Sequence, residues 1–220
     1  MYLSLPRYLG SDLHKERVFP FIQGSYKKHW KADFVDGIGY QRDVWPFLTV
    51  DYRLGYTFGR KESDFYLLNG WGDIAFSPKI SLTHTFKVYY AFCRLRYTEF
   101  MGVLSQARLG SISLGHGLYI PKVNIIASVS YEVEWMNQQY ASSFFSTPEL
   151  EVSGESMTAF NVRSGVLSSG FSMTVIKPFS KRWTLIVPFQ NRFLSDDVVG
   201  SPLVLKKHQR SLIVVLAYRY

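Results

Sequence analysis

Cysteine is almost missing from this 220-residue chain. The single thiol, Cys93, excludes an intrachain disulfide and leaves no basis for a Cys-based metal site. Long apolar runs are missing too. No stretch reaches the roughly 18 residues that a transmembrane helix needs, and mean hydropathy is near zero, at -0.03. No Gly-x-Ser-x-Gly elbow and no His-Glu-x-x-His pair occurs, so nothing selects a serine hydrolase or a zinc protease. The net charge of +8 is not gathered into one basic run, which speaks against nucleic acid as a partner. Met1 leads into Tyr2-Leu3-Ser4-Leu5-Pro6 without a basic n-region or an apolar h-region, so no secretory signal is visible.

Aromatic residues, by contrast, are abundant, at 17% of the chain with 15 Tyr and 17 Phe. Such rings suit a structure with two boundaries between water and an apolar phase. The dominant pattern is period two, which in a strand means one apolar and one polar face. From Val123 to Trp135 every odd position is apolar, and every even position but Ile126 is polar. From Leu48 to Phe58 the even face is wholly apolar, while Asp51 and Arg53 stand on the odd face. The segment Tyr89–Thr98 repeats the pattern more loosely, with Arg94 and Arg96. These segments are longer than the 5–6 residues of an ordinary strand and match the roughly 9–11 of a tilted membrane strand. Trp45, Tyr56, Phe58, Tyr131 and Trp135 stand near the ends of the apolar rows, as in an aromatic girdle.

The expected fold is therefore all-β: one antiparallel up-and-down transmembrane β-barrel over residues 1–220, with about 10–12 strands. Ten strands are expected at 17–28, 30–42, 45–58, 73–86, 87–100, 102–116, 122–137, 161–179, 183–194 and 211–220. Short connections near 43–44, 86–87, 118–121 and 180–182 alternate with long ones at 59–72, 138–160 and 195–210. No long loop is obviously placed to constrict the interior. Asp51, Arg53, Arg94, Arg96, Glu132 and Glu134 are expected to line the lumen and to pair there, which offsets the burial of charge. The chain closes with apolar or aromatic residues at Leu212, Val214, Leu216, Tyr218 and Tyr220. This row resembles the terminal signal by which outer-membrane barrels are recognised for insertion.

Several segments resemble the MltA-interacting protein (MipA/OmpV) family of outer-membrane proteins. Pro6-Arg7-Tyr8-Leu9-Gly10-Ser11-Asp12 is similar to its Pro-x-Tyr-x-Gly-Ser-Asp loop, and Gly37-Ile38-Gly39-Tyr40 to a following strand. Gly70-Trp71-Gly72-Asp73 fits its Gly-x-Gly-Asp loop, and Phe179–Trp183 a tight turn before a Trp-led strand. The sharpest likeness runs from Arg192 through Asp197 to Ser201-Pro202-Leu203-Val204, followed by Tyr218-Arg219-Tyr220. The family's Tyr-Phe-Gly-Val loop motif survives only as Tyr140 and Ser143-Phe144-Phe145-Ser146, without the glycine. The family's leader and first strand have no counterpart, so a chain shortened at its front is expected.

The resemblance implies a non-enzymatic scaffold in the bacterial outer membrane. It would link a murein lytic transglycosylase with a penicillin-binding peptidoglycan synthase, and it brings neither catalytic residues nor a cofactor. A small-solute channel and a surface adhesin stay open beside it. Gly10, Gly59, Gly70 and Gly72 are expected at sharp turns, and Asp12, Asp73, Asp196 and Asp197 at loop backbone donors. The basic loop Leu205–Arg210 could meet lipopolysaccharide, and the strands lipid. His14, His29, His84, His116 and His208 fall in loops or near strand ends, where an interfacial or structural place is expected.

Overall fold

Period-two segments separated by Gly, Pro and Asn become antiparallel strands. The computed structural model describes all residues except 21, 34–35, 58, 65–67, 69–71, 148–149, 153–154, 158 and 219–220. Four short strands come first: β1 (Tyr2–Pro6), β2 (His14–Val18), β3 (Gln23–Tyr26) and β4 (Trp30–Asp33). Longer ones follow: β5 (Gly37–Trp45), β6 (Leu48–Thr57), β7 (Ser77–Val88), β8 (Ala91–Phe100), β9 (Arg108–Ile120) and β10 (Ile125–Met136). Helix α1 (Gln138–Phe145) and a small hairpin, β11 (Leu150–Val152) with β12 (Glu155–Met157), lie in the next connection. Then come β13 (Gly165–Pro178), β14 (Trp183–Leu194), the one-turn helix α2 (Asp196–Val199) and β15 (His208–Tyr218).

Thirteen strands form one antiparallel sheet in the order β2-β1-β15-β14-β13-β10-β9-β8-β7-β6-β5-β4-β3. No ladder joins β2 to β3 among the described residues, so the sheet is not closed by hydrogen bonds. Its two edges are nevertheless consecutive in the chain, linked by residues 19–22 alone. A flat sheet of this many strands would hold its edges roughly 58 Å apart, whereas that link spans at most roughly 18 Å. The sheet must therefore curl into a barrel wall. Strand β2 pairs with β1 at one edge, and β3 pairs with β4 at the other.

Several boundaries differ from those expected. The strand at 17–28 is two strands, parted around Pro20, which has no N–H to offer a ladder. The strand at 30–42 breaks into β4 and β5, where Asp33 accepts a hydrogen bond from the Asp36 N–H at 2.6 Å. Gly37 adopts φ +81 there, and a Cβ on it would lie 2.3 Å from the Leu54 carbonyl oxygen. The strand at 102–116 begins only at Arg108, because Gly102–Leu104 is a 3-10 turn. The β7–β8 turn sits at Tyr89-Tyr90 rather than 86–87, with Tyr89 at φ 54. Strand β1 was not expected, and it pairs with β15 through Tyr2–Val214 and Ser4–Leu212. Phe58 lies outside the described residues.

Close approach of strands makes Gly170 sensitive. A Cβ on Gly170 would lie 2.1 Å from the Asn191 carbonyl oxygen and 2.7 Å from the Arg192 Cα, both backbone atoms of β14. Gly110 meets nothing within 4 Å. Gly170→Ala should therefore destabilise the barrel by roughly 1–3 kcal/mol, and Gly110→Ala hardly at all. The temperature at which the compact gel band converts to the unfolded one measures both. Equal conversion temperatures would refute the strain argument.

Candidate functional site

Register assigns the faces. Asp51 lies opposite Thr83, Arg53 opposite Ser81, and those two lie opposite Arg96 and Thr98. Arg94 and Arg96 face Ser113 and Ser111, which face Glu132 and Glu134 on β10. All six charged residues singled out in the sequence thus share one face of the sheet, together with most of its Ser and Thr. The other face carries exposed apolar side chains such as Leu54, Ile80, Leu95, Leu114, Val129, Tyr131 and Phe171.

The pairings on the polar face are not all those expected. Arg53 donates from Nε to Asp51 Oδ1 at 2.8 Å, from Nη2 to Asp51 Oδ2 at 3.3 Å, and from Nη1 to Asp33 Oδ2 at 3.1 Å. Arg192, not Arg94 or Arg96, pairs with Glu134, at 3.2 Å. Glu132 accepts from the Ser111 hydroxyl at 2.8 Å. Strand β9 stands between the two arginines and the two glutamates, so their backbones lie about 10 Å apart. Arg94 and Arg96 make no ion pair and no hydrogen bond among the described residues, although Arg192 and Arg53 each reach a carboxylate across one intervening strand. Asp33 and Arg192 were missed because pairing over an intervening strand leaves no local signal. Their only mark was a charge on a polar face.

The long-loop end is capped. Helix α1 starts at Asn137, whose side chain accepts from the Tyr140 N–H at 3.0 Å. It lays Tyr140, Ala141 and Phe145 on Phe100, Leu104, Met136, Val162, Leu167, Leu194 and Val198. Burial pushes the Tyr140 hydroxyl above its usual range and lowers the Arg60 guanidinium below its own. Arg60 is only 5% exposed and donates to the Phe144 carbonyl at 3.1 Å. The expectation that no long connection closes the interior is thereby corrected. A helix was hidden in a segment whose apolar residues look like loop decoration until they meet strand ends.

The family-motif residues gather partly at this cap. Gly10, at φ +103, accepts at its carbonyl from Leu205 and Lys206 and donates its N–H to Gln209 Oε1 at 3.2 Å. A Cβ there would lie 2.9 Å from Val204. Ser11 closes a turn with Leu13, through its hydroxyl at 3.1 and 3.2 Å. Tyr8 packs with Leu68 and Leu203. Ser201 donates to the Phe145 carbonyl at 2.6 Å, tying this loop to α1. Pro6 ends β1, and Pro202 is exposed beside buried Ser201. Gln209, 3% exposed, is the residue that sequence reasoning missed, although it binds both Gly10 and the Ser11 carbonyl.

Gly72 and Asp73 lie apart from that cluster. Gly72 has φ +71, and Asp73 accepts from the Glu62 N–H at 2.8 Å. Asp12 and Asp197 cap no backbone donor among the described residues. Asp196 instead binds Lys207 at 2.5 Å, which holds its carboxyl below the usual range. Gly70 and Tyr220 lie outside the described residues. Leu212, Val214, Leu216 and Tyr218 alternate along β15 on the face away from Gln209 and Ser211, and Tyr218 packs edge-on against Trp183 at 4.9 Å.

At the short-turn end, a cavity of about 560 Å³ is lined by Thr85, Lys87, Tyr90, Phe92, Arg94, Tyr119 and Ile126, among others. Among the described residues no group of three or more His, Cys, Asp or Glu could hold a metal ion. No helix among them is long and apolar enough to cross a membrane, which says nothing of a barrel that crosses with strands. Comparison with curated proteins gives no match. The model of one family, MltA-interacting protein MipA, matches residues 2–220. With that match over nearly its whole length and an antiparallel sheet that has one polar and one apolar face, the chain belongs to the MltA-interacting protein MipA family.

Proposed function

We propose that the chain is a non-enzymatic outer-membrane protein, one barrel domain spanning residues 1–220, that scaffolds cell-wall enzymes. The observation that carries this reading is the match over residues 2–220 to a family named for interaction with MltA, a lytic transglycosylase. In this reading the apolar face of the sheet meets lipid, and the charges from Asp51 to Glu134 line the lumen. The row Leu212–Tyr218 serves as the insertion signal, and the long loops meet lipopolysaccharide. A penicillin-binding synthase is the second partner.

The capped long-loop end supports a scaffold over a channel, because twelve buried residues pack where a solute would have to pass. The short turns offer a surface instead. Phe47, Tyr89, Tyr90 and Phe179 are all at least half exposed there, and Tyr89 is 98% exposed. Aromatic side chains on a rim can anchor at the bilayer boundary and at a partner alike.

The test is binding of purified MltA to the barrel held in lipid nanodiscs, with a conductance recording in planar bilayers alongside. Saturable binding, weakened several-fold by Tyr89→Ser with Phe179→Ser, and no stepwise conductance are expected. Stepwise conductance without MltA binding would replace the scaffold by a channel.

A further inference from the structure

The polar face of the sheet changes character toward the short-turn end. Around the middle it carries Ser, Thr and charge, whereas lower down it carries Phe92, Tyr119 and Ile126. Ile126 lies opposite Ile176, Ile176 opposite Ile186, and Ile186 opposite Val215, so the apolar patch continues across four neighbouring strands. An interior holding only water gains nothing from such a belt, because wetted apolar surface is unfavourable. Directly above it stands Arg94, whose guanidinium lies 5.2 Å from the Phe92 ring centroid. Among the described residues that guanidinium has no hydrogen-bond acceptor and no carboxylate within 4 Å. Arg96, the next residue inward on the same face, has none either. Lys87, at the lip, is committed to Thr49 at 2.7 Å and to Asp43 at 3.6 Å.

The cavity is kept open by the backbone opposite. Phe92 faces Gly115, and a Cβ at Gly115 would lie 2.3 Å from the ring's Cζ. Only a glycine lets the ring lie flat on the wall instead of across the lumen. The resulting space, about 560 Å³, falls in the range of small-molecule pockets.

We propose that the short-turn half of the barrel interior binds an amphipathic anion: a carboxylate or phosphate carried on an apolar or aromatic body. The body lies on Phe92, Tyr119 and Ile126, and the anionic oxygens take the open N–H donors of Arg94, in charge-assisted bonds whose fork matches their geometry. This site is independent of the scaffold reading and stands if MltA does not bind.

The experiment titrates the barrel, in phosphatidylcholine nanodiscs, with 2-naphthoate, with its neutral counterpart 2-naphthamide, and with inorganic phosphate, by calorimetry. One saturable site for 2-naphthoate is expected, with binding of 2-naphthamide and of phosphate each at least about tenfold weaker. Arg94→Gln should weaken 2-naphthoate to the level of the amide, while Lys79→Gln, an inward cation outside the cavity, should leave it unchanged. If Arg94→Gln fails to give the compact gel band, Phe92→Ala carries the test, and binding must fall there too. Equal binding of naphthoate and naphthamide, equal binding of phosphate, an undiminished Arg94→Gln, or no binding by the unaltered barrel would each overturn the proposal.

Discussion

Replacing Val129 by arginine should remove most of the folded, membrane-inserted form, while the same replacement one residue earlier, at Ser128, should leave it intact. Val129 is half exposed on the apolar face, mid-strand in β10, and lies opposite Met173 of β13 and His116 of β9. An arginine on a lipid face near the bilayer midplane costs about 2–4 kcal/mol, since no water or counter-charge meets it there. Ser128 faces the other way, beside Thr174 and Gly117, where an arginine reaches the wet interior. The measurement is the heat-shifted gel band of the outer-membrane fraction. Normal assembly of Val129→Arg, or loss of both variants alike, would mean that the apolar face does not meet lipid. The exposed rows of Leu54, Ile80 and Leu95 would then need a different cover.

The second large effect is expected at the cap. Phe145 is wholly buried, its ring among the apolar ends of β8, β10, β13 and β14, and its carbonyl holds the Ser201 hydroxyl. Truncation to alanine leaves a cavity that rigid strand ends cannot collapse into, at a cost of about 3–5 kcal/mol. The wall of the barrel keeps its own ladders, so the loss falls on the cap. Phe145→Ala should make the connection between β10 and β13 cleavable by protease under conditions where the unaltered chain resists. It should also let current pass in planar bilayers that the unaltered protein leaves silent. Gln139→Ala, on the exposed side of α1, should do neither. A Phe145→Ala barrel as protease-resistant and as silent as the parent would show that this helix is not what closes the long-loop end.

The two ends of the molecule were unequally legible. Alternation from Val123 to Trp135 predicts which side chains of β10 face in and out, because the strand repeat is a property of the local backbone. The one breach in that alternation, Ile126, marked the cavity at the short-turn end, yet a single apolar residue on a polar face has no meaning until Phe92, Tyr119 and Ile176 are brought beside it. Strand ends were less legible. Turns at Gly37, Tyr89 and Asn124 depend on positive φ values that glycine and asparagine only favour and that Tyr89 adopts against its preference. The cap was invisible because α1 has too few residues to announce a helical period, and its apolar side acquires a purpose only against strand ends far away in the chain.

By itself, then, the amino-acid order determined the β class, the two faces of the long strands and the family. Each of these follows from period, composition or short motifs, which are local quantities. The tertiary structure decided which charges meet. Glu134 takes Arg192 from β14 rather than Arg94 or Arg96 from β8, although β14 and β8 each lie two strands from β10. It also decided that residues 14–26 join the two edges of the sheet, and that one end of the barrel is packed while the other stays open. Those outcomes depend on register between strands as much as two hundred residues apart, and no local pattern encodes the partner that a strand edge will find.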